Sequence, residues 1–200
     1  MAYFTKDEAR QAARATVNRR YRANAKSILE SDSQQTNRYE SFDVFLSHSS
    51  KDAELILGVK TLLETQGLKV YVDWHDDPQA SRDSVTEETA ELLRARMKQS
   101  KSLIYVATEN ASNSKWMPWE LGFFDGYSDG SVAVLPLQDY EAQTFNGQEY
   151  LGLYPKVDKG RYLDTGQEDT FVKKSNGWQS LSRFGRGSSS WNRYSLISGG

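Results

Sequence analysis

The sequence predicts an α/β fold: a central parallel sheet of about five strands with helices on both faces, preceded by an amphipathic helix. Three observations predict it. Short apolar runs alternate with stretches of helical period between residues 42 and 137. The runs FDVFL, LKVYV, LIYVA and VAVLPL are apolar almost throughout, which suits strands buried on both faces. The links between them carry helix-start and turn residues at strand–helix–strand spacing.

Residues 6–30 read as a helix, because Ala13, Val17, Tyr21, Ala25 and Ile28 recur nearly every fourth residue. That stripe is alanine-rich, so it suits packing on the domain or on a second copy better than a membrane surface. SDSQQTN (31–37) reads as a polar linker. Phe42 to Leu46 is the first strand and Ser47–Ser50 a turn. Ser49 with Asp52 has capping-box spacing. The next helix places Leu55, Ile56, Val59, Leu62 and Leu63 on one face and stops at Gly67. Leu68 to Val72 is the second strand, followed by a polar loop from Asp73 to Asp83. Ser84 and Glu87 repeat the capping-box spacing, opening a helix with Ala90, Leu93 and Met97 inward. Leu103–Ala107 is the third strand. WMPWELGFFDGY is the third helix of this alternating region and Val132–Leu137 its fourth strand, with YLGLYPKV (150–157) a candidate fifth. The organisation expected is a helical extension and linker over 1–38, the core domain over 39–165 and a C-terminal extension over 166–200. Trp178, Phe184, Trp191 and Tyr194 are scattered through the Gly/Ser/Arg-rich tail, where they either pack on the domain or serve a partner.

Composition removes several function classes. Cysteine is absent, which excludes disulfides, thiolate metal sites and cysteine nucleophiles, and two histidines make a histidine-rich metal site a poor reading. No apolar run is long enough to span a bilayer and the N-terminus lacks a secretory signal, so a cytoplasmic protein is expected. Residues 1–30 hold seven Lys/Arg against three Asp/Glu, which leaves the rest of the net −2 chain acidic and argues against nucleic acid as the main ligand.

Open parallel sheets bind ligands beyond the C-terminal strand ends, at a topological switch point. Ser47 and His48 follow strand one; Asp73, Trp74 and His75 follow strand two; Thr108, Glu109 and the Trp116–Glu120 segment follow strand three. In KWMPWEL, Pro118 fits only a first helical turn and disfavours helical geometry at Met117. Trp116 is therefore expected at the loop–helix junction, with Trp119 and Glu120 in the first turn. The residues alone leave two readings open. Both tryptophans are core packing and Glu120 complements the helix dipole, or the aromatics and the carboxylate form a ligand site. As a surface residue, Glu120 would cost within about 1 kcal/mol on removal. Glu109 is a rival carboxylate without a flanking aromatic. His75 with Asp76 and Asp77 reads as a solvated loop, and no metal site is expected.

FDVFLSHSSKD (42–52) resembles the first box of TIR (Toll/interleukin-1 receptor) domains. LKVYVDW (68–74) resembles their second strand and the entry to the BB loop. SKSLIYVATENASNSKWMPWEL (100–121) resembles the third strand and helix of the NAD-cleaving bacterial type, where a Trp four residues before a Glu marks the active site. The resemblance covers residues 39–137 and implies a flavodoxin-like TIR fold. It implies cleavage of the nicotinamide–ribose bond of NAD, yielding ADP-ribose or a cyclic or transferred product in anti-phage defence. Glu120 is then the catalytic carboxylate, and Ser47, His48, Ser49, Asp73, Trp74, Asp83, Ser84, Trp116 and Trp119 bind NAD. NAD is the substrate and no cofactor is needed. Nicotinamide leaves as a neutral ring, so one carboxylate can suffice where ordinary glycoside hydrolysis uses two. The resemblance further implies self-association through TIR–TIR contacts including the 73–84 loop, and a separate effector that reads the product. The alternative is a non-catalytic TIR assembly module. Response regulators and flavodoxins are disfavoured because Leu46-Ser47-His48 offers neither an acidic pair nor a glycine-rich phosphate loop. A nucleoside deoxyribosyltransferase-like enzyme would use a glutamate on the same bond type.

Overall fold

Thr5 and Glu8 set how the chain begins. The Thr5 hydroxyl accepts from the Glu8 N–H at 3.1 Å while the Glu8 carboxylate accepts from the Thr5 N–H at 2.7 Å, a complete capping box. It joins strand β1 (Phe4–Thr5) to helix α1 (Lys6–Arg19). Asn24 then takes an extended conformation and its side chain caps α2 (Ala25–Gln34) by accepting from the Ser27 N–H. A polar cap of this kind starts a new helix instead of continuing the old one. The single helix expected over 6–30 is therefore two, and α2 takes up the start of the expected linker. This computed structural model describes the chain apart from residues 1, 21–22, 38, 75–85, 129, 141–142 and 194–200. Tyr21, one member of the expected stripe, thus lies outside the described residues.

The apolar runs form strands β2 (Phe42–Ser47), β3 (Val70–Tyr71), β4 (Ser100–Ala107) and β5 (Val132–Gln138). Helices α3 (Ala53–Thr65), α4 (Glu87–Lys98) and α5 (Trp116–Ser128) follow β2, β3 and β4 in turn. Further strands are β6 (Lys156–Arg161), β7 (Glu168–Lys174) and β8 (Gly177–Ser180), then α6 (Leu181–Gly185). The sheet order is β3-β2-β4-β5-β6-β7-β8, parallel through β6, with β1 added parallel to β5. The fold class is as read, but among the described residues the sheet has eight strands instead of five. The additional pairs β6–β7 and β7–β8 are antiparallel. Antiparallel edges with one wet face carry polar residues, so their sequences lack the uninterrupted apolar run of β4.

Two apolar layers sandwich the sheet. On one face α1, α2, α3 and α6 bury Ala9, Ala13, Ile28, Leu29, Ile56, Val59, Leu63 and Phe184 against Val44, Leu46 and Ile104. On the other, α4 and α5 bury Ala90, Leu93, Met97, Met117, Leu121 and Phe124 against Phe45, Leu103 and Tyr105. Gly67 ends α3 with φ +74°, a conformation only glycine takes without strain. Thr86, one residue before Glu87, caps α4 by accepting from the Thr89 N–H; Ser84, read as that cap, lies outside the described residues. The tail aromatics pack on the domain: Trp178 meets Phe171 edge-on at 5.3 Å, and Trp191 meets the buried Phe184 at 6.4 Å. Tyr194 lies outside the described residues.

Candidate active site

From β2 the chain goes outward to β3, then crosses back over β2 to β4 and onward to β5. The switch point lies between β2 and β4, so the loops leaving their C-terminal ends part there and open a crevice. Strand alternation sends the Ser47 side chain to the α4/α5 face. Helix α5 follows β4 and covers that face.

Ser47 Oγ donates to Glu120 Oε2 at 2.6 Å, and both residues are fully buried. A hydroxyl donating to a carboxylate at this distance in a dry site is a strong, charge-assisted bond. Trp116 begins α5, so Pro118 is its third residue, where a missing N–H costs nothing. Trp116, the first helical residue, sits at the loop–helix junction as expected, whereas Met117 is helical despite preceding a proline, which corrects the expectation there. Glu120 is the fifth helical residue and points inward, so the expected first-turn surface glutamate is instead 0% exposed. Trp116 is also buried, and its indole Nε1 has no acceptor among the described residues. Beside them stands Tyr105 of β4. Burial, then the neighbouring Tyr150 and Glu120, push the Tyr105 hydroxyl pKa far upward, so it stays a protonated donor. Its oxygen completes no hydrogen bond of normal geometry among the described residues. The crevice thus holds a buried carboxylate and two underused donors.

Asp52 fixes the two loops against each other. Its carboxylate accepts from Thr108 Oγ1 and from Asn110 Nδ2, each at 2.6 Å. Asp52 was read as part of a capping box with Ser49, but no side-chain cap bond forms at Asp52. Ser49 instead caps the short 3-10 turn Ser50–Asp52 by accepting from the Lys51 N–H at 3.4 Å.

The remaining residues read from the sequence fall in different places. Asp73 lies on the Glu120 face of the sheet, where its carboxylate accepts from Tyr71 Oη at 3.0 Å. Trp74 is buried in the α3-side core, and His48 stacks on it with centroids 5.2 Å apart. His48 Nδ1 donates to the Leu46 carbonyl at 2.9 Å, a role in holding the backbone. Trp119 is half-buried on α5, edge-on to Trp116 at 5.4 Å, with the Arg94 guanidinium over its ring. Asp83, Ser84, His75, Asp76 and Asp77 lie outside the described residues. Glu109 is exposed and paired with Lys6 at 2.9 Å. Among the described residues no group of His, Asp or Glu is placed to hold a metal ion, and no helix is long and apolar enough to cross a membrane. Tyr105 and Asp52 were missed as site residues; a tyrosine inside an otherwise aliphatic strand run was the available signal for the first.

A TIR domain family model matches residues 44–158. A protein of Bacillus cereus named "Probable 3′ cyclic ADP-D-ribose synthase ThsB′" is 47% identical over 152 residues, which span 76% of this chain and 78% of that protein. A second relative, from Cytobacillus dafuensis and also named for cyclic ADP-D-ribose synthesis, is 33% identical over 96 residues, 48% of this chain and 25% of that protein. With the strand order, the switch-point crevice and the Ser47–Glu120 pair in place, the chain belongs to the TIR domain family.

Proposed function

We propose that this protein breaks the nicotinamide–ribose bond of NAD and closes the ADP-ribosyl group into a cyclic ADP-ribose, with linear ADP-ribose as the hydrolytic side product. The observation that carries the reading is the buried Glu120 carboxylate held by Ser47 at the switch point. The printed names of the relatives support the reaction class. As the C–N bond breaks, its electron pair leaves with neutral nicotinamide and positive charge grows on the ribose. An ionised carboxylate in a dry crevice stabilises that charge without a general acid. Trp116 supplies an aromatic wall and an indole N–H, Trp119 the outer edge, and Ser47 orients Glu120. Ser49 and Asp73 line the approach, while His48 and Trp74 act from behind as scaffold. No cofactor enters the step.

Glu120 is wholly covered in this structure, so substrate entry requires a rearrangement. Self-association of TIR domains, including contacts of the 73–84 loop, is our proposal for its cause. The product then acts as a signal to a separate effector in anti-phage defence, in the cytoplasm where NAD is available. The test is mass spectrometry of products after incubating concentrated protein with NAD, wild type beside Glu120→Gln. We expect nicotinamide release and a cyclic product from the wild type and a loss of at least about 10³-fold in the variant, the scale of removing a principal electrostatic stabiliser. Equal turnover by both proteins would refute the role of Glu120. No turnover by the wild type under assembling conditions would favour the assembly-module reading.

A further inference from the structure

A cavity opens beside Tyr105. It holds about 420 Å³ at the C-terminal ends of β4 and β5 and is closed on its outer side by the 143–148 segment. That volume is within the range of small-molecule sites, which begins at roughly 300 Å³. Lys6 Nζ bridges Glu109 Oε1 and Asp139 Oδ1, both at 2.9 Å, so the rim carries one cation against two carboxylates. A net negative rim repels phosphate but offers acceptors to hydroxyl groups. The Gln138 and Asn146 side-chain amides line the same cavity. Each presents a donor and an acceptor, the pairing that reads the edge of a nucleobase. Phe145 supplies an aromatic surface beside them.

The cavity is joined to the catalytic carboxylate. The Tyr150 hydroxyl donates to Gln148, which lines the cavity. The buried Tyr105 hydroxyl lies near the Tyr150 hydroxyl and the Glu120 carboxylate. Tyr105 itself lines the cavity.

We infer that this cavity is an adenosine subsite, in which Asn146 and Gln138 read the base, Phe145 stacks on it, and Glu109 with Asp139 takes the ribose hydroxyls. The inference rests on the reading of the chain as an NAD-cleaving enzyme and deepens it. It also gives cyclisation a structural cause. In ring closure through the adenosine ribose, the kind that the printed name of the Bacillus cereus relative indicates, a hydroxyl oxygen of that ribose bonds to the anomeric carbon as nicotinamide departs, and its proton leaves to the Glu120 carboxylate or to water. Holding adenosine next to Tyr105 keeps that hydroxyl close to the reacting carbon and water farther from it.

The experiment compares nicotinamide release from NAD and from nicotinamide mononucleotide, which lacks adenosine, in wild type, Asn146→Ala and Glu109→Gln. Asn146 and Glu109 are exposed, so neither variant threatens folding. The expected result is a kcat/KM loss about tenfold greater with NAD than with the mononucleotide, and a shift of the NAD product from cyclic towards linear ADP-ribose. Equal effects on both substrates, or none, with an unchanged product ratio would overturn the subsite while leaving the enzyme reading intact. Should the wild type cleave neither substrate, calorimetric titration with ADP-ribose decides. Binding weakened by Asn146→Ala supports the subsite, and binding unchanged by it, or none to wild type, overturns it.

Discussion

Gly58 lies where α3 meets α1, and its replacement by alanine tests how tightly the N-terminal segment is built into the domain. A Cβ at this position would sit 1.8 Å from the Ala9 carbonyl oxygen and 2.4 Å from its carbon. Both are backbone atoms of a helix and cannot rotate away. Contacts under 3.0 Å are not tolerated, so α1 would have to retreat by about 1.2 Å. Ala9 and Ala13 are fully buried at this crossing, and Thr16 Oγ1 meets Thr61 Oγ1 at 3.0 Å across it. A gap of that size forfeits about half or more of the dispersion energy of the contacts it opens. Overpacking of this kind costs about 1–3 kcal/mol, with the upper end apt because backbone is struck. The helix-propensity gain of alanine offsets up to about 1 kcal/mol. The net of about 2 kcal/mol predicts a Tm fall of roughly 4–8 °C for a chain of this size. Gly122, interior to α5 with nothing within 4 Å of its Cβ, is the matched control. There the same substitution should stabilise by about 0.5–1 kcal/mol. Thermal unfolding followed by circular dichroism measures both, and a Gly58→Ala Tm at or above wild type would refute the argument.

Asp52→Ala removes the acceptor for Thr108 and Asn110; we expect about 2–4 kcal/mol of destabilisation and reduced kcat, with Asn restoring part of both, checked by unfolding and by steady-state kinetics. Ser47→Ala should lower nicotinamide release by one to two decades, the scale of a hydrogen bond to a charged group, whereas Trp74→Ala should act through stability by about 3–5 kcal/mol. A kinetic effect of Trp74→Ala in protein that remains folded would place that residue in the site after all. Burial works to raise the Glu8 pKa, but the Lys159 ammonium at 2.7 Å and the Thr5 N–H outweigh it and hold it below the usual carboxylate range. Asp43 is likewise lowered against its burial by Lys101, and Glu40 chiefly by Lys69. Depressed carboxylates stabilise the fold above their unfolded pKa of about 4, and that contribution is lost as pH falls through the lower folded values. Acid unfolding monitored by fluorescence should therefore begin below about pH 4 and move to higher pH in Glu8→Gln.

Much of the α/β core was legible because its signals are local. Runs such as LIYVA can be buried only as central strands, and the inward faces of α3 and α4 follow from period alone. The misses are of two kinds. β1 is a two-residue strand whose partner, Leu137–Gln138, lies more than a hundred positions away. No local pattern encodes such pairing, and only the Thr5–Glu8 capping box marked the spot. β7 and β8 did carry a local signal. Residues 175–176 form a two-residue turn, Ser175-Asn176, of residue types that favour turns. The charged ends of Glu168–Lys174 concealed it, because an edge strand with one wet face lacks an apolar run.

The candidate site shows what a sequence box can and cannot say. Ser47, His48 and Ser49 are adjacent, and adjacency suggests a shared ligand. At the end of a strand the period of two forbids that, since neighbours leave on opposite faces. Ser47 goes to the α5 face and meets Glu120; His48 is stacked on Trp74, which packs on the α3 face. The same alternation at the end of β3 separates Asp73 from Trp74. Each strand end thus contributes one polar residue to the crevice and one aromatic ring to the scaffold behind it. The pattern reads as a single motif because both halves are needed: the stacked pair fixes the strand ends, and the fixed strand ends hold Ser47 within 2.6 Å of a carboxylate that no solvent reaches.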